Sequence, residues 1–164
     1  MDSTEDKKPQ KHFPSKVTFL GHPIHPILVD FPIAFLSAAL LTDLIYWRTG
    51  TPLWANFSFW LLLAGFVSGI LAAAIGLIDF LTIKKVRDTR SGWIHFLSND
   101  AALILTFFNL VPRLSNREGL ILFTGLALSA LAAALLTIGG FYGGELVFGF
   151  RIGVFERESD QSAE

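Results

Sequence analysis

The sequence predicts an all-α membrane protein: four transmembrane helices in an up-down-up-down bundle, with a glycine-rich interfacial segment after the fourth. Three observations carry that expectation. Of 164 residues, 52% are hydrophobic and 16% charged, and the mean hydropathy is +0.52, a composition foreign to soluble domains. Four apolar stretches follow one another at about Ile27–Trp47, Phe57–Ile78, Trp93–Val111 and Gly119–Ile138, each near the roughly 20 residues that cross a hydrocarbon core. Their connections are short and polar: RTGTPLWAN, KKVRDTRSG and PRLSNRE.

Composition also excludes some classes of function. With 13 Lys and Arg against 14 Asp and Glu, there is no basic surface for nucleic acid. The absence of cysteine removes disulfides, zinc-thiolate sites, iron-sulfur clusters and thiol nucleophiles. Any metal or redox chemistry must use histidine, carboxylates or a bound cofactor.

Residues 1–20 are polar, of mixed charge and without an apolar signal region, so they are expected to form a disordered cytoplasmic tail. Residues 21–154 form the four-helix domain and 155–164 a polar C-terminal tail, with no usable internal repeat. Ten basic residues flank one side of the spans: Lys7, Lys8, Lys11, Lys16, Lys84, Lys85, Arg87, Arg90, Arg151 and Arg157. Only Arg48, Arg113 and Arg117, three in all, flank the other. The positive-inside rule then places both termini in the cytoplasm of a prokaryotic cell, with the chain crossing the inner membrane. Tyr46, Trp47 and Trp54 fit an aromatic border on the outer face, and Trp93 and Tyr142 one on the inner face.

The first span opens on GHPIHPILVDFP. Pro26 suits the first turn of a helix, so Gly21 to His25 read as a lead-in loop that holds His22 and His25 at the inner surface. Pro32 removes a backbone hydrogen bond and should kink the span near Asp30. Asp30 and Ser37, seven residues apart, are expected on the inward face. In the second span Gly65, Gly69, Ala72, Gly76 and Asp79 recur in steps of four and three, a seam for close helix packing that ends in a carboxylate.

His95, Asn99, Ala102, Thr106, Asn109 and Arg113 mark one polar stripe down the third span. Chance would scatter such residues, so this face points into the bundle. The plain explanation is interhelical hydrogen bonding; a polar pocket is the sharper one. The fourth span carries Gly125, Ser129 and Ala132 and ends in GGFYGGELVFGF, where clustered glycines should break the helix and present Glu145. The following LVFGFRIGV reads as interfacial or re-entrant.

His25, Asp79, His95 and Glu145 thus gather at one layer, and the first and third helices of such a bundle lie diagonally. His25 and His95 would suit axial ligation of a haem iron, with Arg87, Arg90 or Lys16 at its propionates. They would equally suit a smaller metal completed by a carboxylate from Asp79, Asp30 or Glu145. Against both stand plain helix capping by His and Asp at span ends and, as a lesser alternative, a proton relay through the same groups.

GHPIHP, the LVDFPIA run, the GLID end of the second span, the His95 and Asn99 pair, and the terminal GGELVF with Gly153 and Val154 together resemble the small bacterial membrane proteins known as domain of unknown function 2231, DUF2231. The resemblance covers roughly residues 20–154 and implies a four-span prokaryotic membrane protein with no activity to carry over. Relatives often have His where this chain has Asp30, and often GGxLVYxHGVGV where this chain has Phe150 and Arg151. Two classes follow for function. The first is a membrane protein with a cytoplasmic-side His and carboxylate site, binding haem or a metal and passing electrons to a redox partner. The second is a non-catalytic scaffold or assembly partner, acting as a homo-oligomer or with another protein, whose polar stripe only holds helices together. A transporter is a weaker third, since four spans make a small pathway.

Overall fold

The computed structural model describes residues 13–119 and 121–154, with the backbone alone at Leu122. A small antiparallel hairpin comes first, pairing β1 (Thr18–Phe19) with β2 (His22–Pro23). Its two-residue loop has φ of 48° at Leu20 and 79° at Gly21. Positive φ at both central positions is what a tight hairpin turn of this hand needs, and Gly21 meets it without strain. Phe13 to Leu20 pack beside the domain expected from residue 21, and residues 1–12 of the expected tail lie outside the described residues.

Helix α1 spans Ile24–Thr49 and α2 spans Pro52–Thr82. A left-handed Gly50, φ 63°, caps α1 through a bond from its N–H to the Tyr46 carbonyl, and Pro52 starts α2, the usual division of labour between the two residues. A single turn, α3 (Lys84–Arg87), leads into α4 (Arg90–Arg113), whose first turn is capped by the Thr89 hydroxyl accepting from the Gly92 N–H. The fourth span begins in a π-helical turn at Ile121–Gly125, continues as α5 (Leu126–Gly144) and ends in a second π-helical turn at Glu145–Gly149. All four long helices are long and apolar enough to cross a membrane.

Contacts rise along one helix as they fall along the next. Leu36 meets Gly65 and His25 meets Gly76; Leu103 meets Gly69; Asn99 meets Gly139; Asn109 meets Ser129. Successive long helices are therefore antiparallel, and α1 lies across the bundle from α4. A central cluster of Leu36, Ala39, Phe59, Leu62, Ala102, Leu110, Ala132 and Leu136 fills the middle. Phe80, Ile83, Val86, Leu146 and Ile152 close the end near both described chain ends, where Phe13 pairs with Ile152. Large apolar side chains such as Phe31, Trp60, Ile70, Phe108 and Leu131 face outward, as a hydrocarbon surround requires.

Several expectations need correction. α1 starts at Ile24, so His25 stands in a helical first turn rather than a loop; the hairpin before it, anchored by the Ile24 N–H to the Val17 carbonyl, delivers the chain already aligned. Pro32 lies inside α1, which runs on to Thr49. Asp30 and Ser37 are exposed, because the buried stripe of α1 runs through Pro32, Leu36, Ala39, Asp43 and Tyr46 instead. Tyr46 belongs to that buried stripe, with its hydroxyl donating to Glu118 at 3.2 Å, rather than to an aromatic border. The glycines of GGFYGG do not break the fourth span. They lie within α5, and two of them receive side chains from α4, a role that only a residue without Cβ can fill.

Candidate functional site

Two polar layers lie inside the bundle. Nearer the chain ends, His25 of α1 and His95 of α4 meet across the axis with ring centroids 6.1 Å apart and planes at 87°. His25 Nδ1 lies 3.0 Å from the Ala72 carbonyl oxygen and His95 Nδ1 lies 2.8 Å from that of Gly139. A carbonyl oxygen only accepts, so each Nδ1 carries the hydrogen, and in the neutral ring Nε2 keeps its lone pair. No described residue bonds either Nε2. An imidazole oriented through Nδ1 to a carbonyl and presenting a bare Nε2 is the form in which histidine ligates metals.

Glycine makes this arrangement possible. A Cβ at Gly76 would fall 2.6 Å from His25 Cε1, and one at Gly143 would fall 2.8 Å from His95 Nδ1. Each ring rests on bare helix backbone, and in each case the accepting carbonyl lies one turn before the glycine, at Ala72 and Gly139. The same contact is thus built twice. His25 and His95 are 70 positions apart, whereas Ala72 and Gly139, and Gly76 and Gly143, are 67 apart. Separation by 70 also relates Asp30 to Asp100 and Asp43 to Arg113. The α1–α2 and α4–α5 hairpins therefore repeat one local contact geometry at matching spacings, a correspondence that the expectation of no usable repeat leaves out.

The carboxylates expected beside the histidines serve other ends. Asp79 accepts from the Ser15 hydroxyl at 2.6 Å and from the Lys16 N–H at 2.8 Å, which ties the N-terminal segment to α2. Glu145 accepts from the Ser91 hydroxyl at 2.7 Å, tying the end of the fourth span to the start of α4. Asp30 is exposed. Among the described residues no three His, Asp or Glu side chains come together as a metal site. Of the five expected ligands, the structure unites His25 and His95 alone. Lys16, Arg87 and Arg90 are exposed, with Arg87 donating to the Leu81 carbonyl. His22, on β2, is exposed as well.

The second layer, toward the other end, centres on Asp43 and Arg113, both 0% exposed. The guanidinium grips the carboxylate through Nη1–Oδ1 at 2.8 Å and Nη2–Oδ2 at 2.9 Å. It also donates to Ser58 Oγ and Asn109 Oδ1. Ser58 and Ser129 each donate to Asp43, and Asn109 donates to Ser129 and to the Gly125 carbonyl. All four spans contribute, and no buried side-chain polar atom among the described residues lacks a partner. Such full satisfaction is what a buried ion pair needs to repay desolvation.

Arg113 was visible as the end of the polar stripe, but its partner Asp43 was missed. The signal was present: an acid inside an apolar run demands an opposite charge at matching depth, and Arg113 was the one basic residue on an inward stripe.

No curated protein and no solved structure matches this chain. One family does, over residues 21–156, described as "Predicted membrane protein (DUF2231)". That span takes in both hairpins, the GHPIHP opening and both polar layers, and the chain belongs to the DUF2231 family of predicted membrane proteins.

Proposed function

We propose that this chain is a multi-pass protein of a prokaryotic inner membrane, with both termini cytoplasmic, and that His25 and His95 together bind a transition-metal centre, a haem iron or a single ion, that passes electrons to a redox partner. The observation that carries the proposal is the facing pair of imidazoles, each fixed by an Nδ1–H to a backbone carbonyl and each with Nε2 unbonded. Neutral imidazole suits iron, copper, nickel and zinc, and His25 and His95 would supply two such donors to a haem iron or a single ion. A single ion makes the smaller spatial demand, because Gly76 and Gly143 hold both rings close against helix backbone.

The second reading is a scaffold whose polar groups only bind helices together. The Asp43–Arg113 network favours it, since every member is satisfied within the chain. The two readings part on one measurement. The protein is purified from cells supplied with haem precursor and trace metals, and its visible spectrum and metal content are recorded. The proposal expects a stoichiometric centre that His25→Ala and His95→Ala each largely remove and that His22→Ala retains. A colourless, metal-free protein would leave the scaffold reading in its place.

A further inference from the structure

Between α2 and α4 lies a groove of about 570 Å³ that opens on the apolar flank of the bundle. Its walls are apolar and rich in phenylalanine, with Phe66, Phe96, Phe107 and Phe108 among them, and Asp100 is its one ionisable lining residue. Asp100 is exposed, with Leu97 and Ile104 beside it also facing outward. Among the described residues it has neither a hydrogen-bond donor nor a cation. It stands five residues inward of His95, well inside α4. A carboxyl group at that depth is expensive without a partner and marks a site of use.

We propose that this groove binds a lipid-soluble hydroquinone, with the ring among the phenylalanines and a hydroxyl donating to Asp100. Three features select that chemistry. The groove opens where hydrocarbon lies, so the ligand arrives from the bilayer. Its size falls in the range of small-molecule sites, in which apolar walls surround a few placed polar groups. Flat aromatic walls favour a flat aromatic head through offset or edge-on ring contacts. An amphiphilic amine would also answer the carboxylate, but an ammonium must shed a charged group's hydration to enter, whereas a neutral hydroxyl donor sheds far less.

The repeat supplies an internal comparison. Asp30 is the counterpart of Asp100, exposed at the same step of α1. The positions that match Phe96, Phe107 and Phe108 are Pro26, Ser37 and Ala38, and the match to Phe66 is Ala133. Asp100 lines the groove and Asp30 does not, so the site belongs to Asp100. The inference stands apart from the His25–His95 reading, because binding in the groove requires no metal.

The test is calorimetric titration of the whole chain in lipid nanodiscs with a decyl-substituted hydroquinone. Comparison ligands are its dimethyl ether, which has lost both donors, and dodecylamine. Saturable binding of the hydroquinone is expected, at least tenfold tighter than that of the ether. Asp100→Leu and Phe107→Ala should each weaken it tenfold or more, and Asp30→Leu should leave it unchanged. The ether comparison uses wild-type protein, so the result stands even where a variant folds poorly. Equal binding of hydroquinone and ether, equal losses from Asp100→Leu and Asp30→Leu, or tighter binding of dodecylamine would each overturn the assignment.

Discussion

Asp43 and Arg113 occupy the same step of two repeated helices, each 18 positions beyond its histidine, yet they carry opposite charges and close a bidentate ion pair across the bundle. The matched position is acid in one half and base in the other. Two identical hairpins would set like charges against each other there, which costs several kcal/mol. Opposite charges at the two matched positions lock the unlike halves together.

Removing one partner of this pair strands the other. Arg113→Met alone should destabilise the bundle by about 3–5 kcal/mol, the range for an uncompensated buried charge. Asp43→Leu combined with Arg113→Met should lose less than the two single losses together, with a coupling of about 1–3 kcal/mol. Thermal unfolding in detergent measures all three variants, and strictly additive losses would show that the pair does not act as a unit.

The glycines of α5 differ sharply although they are neighbours. A Cβ at Gly143 meets the His95 ring, whereas one at Gly140 meets nothing within 4 Å. Gly143→Ala should cost about 1–3 kcal/mol through overpacking, and Gly140→Ala should be neutral or gain up to about 1 kcal/mol from helix propensity. Melting curves of the two variants decide it; equal behaviour would mean that His95 does not rest on this backbone.

Orientation rests on the uneven count of basic residues between the two sides. A reporter active only in the cytoplasm should function when fused to the C-terminus and fail when inserted after Gly50. The reverse pattern would move the histidine layer to the outer face of the membrane.

The four spans were legible because hydrophobic length is a property of sequence itself. The small-residue seam was legible too: Gly65 receives Leu36, Gly69 receives Leu103, and Gly76 receives His25. The meeting of His25 and His95 followed from depth and diagonal placement. What failed has a common cause. Glycine reads as a helix breaker by local propensity, but between packed helices its missing Cβ admits a neighbour's side chain, as Gly139 admits Asn99 and Gly143 admits His95. Asp30 and Ser37 share a face by periodicity, yet which face turns inward depends on Pro32, Leu36 and Ala39 finding α2. The internal correspondence is faint in the sequence because it holds at the few positions that make its contacts and not at the residues between them. Asp43 is hard to read from sequence because its partner Arg113 lies 70 positions away on another helix.

The strand-like clasp at the chain ends bears on how the polypeptide could be rewired. Phe13 donates to the Arg151 carbonyl at 3.2 Å and accepts from the Gly153 N–H at 2.7 Å, so the first and last described segments are neighbours. The junction between the repeated units, at Asp88 and Thr89, lies at the same end of the bundle, just after α3. Circular permutation therefore needs little new geometry: a short linker across the clasp and a cut at that junction would put the α4–α5 hairpin first and α1–α2 second. Every contact of both polar layers would be kept, because none depends on which hairpin the ribosome makes first.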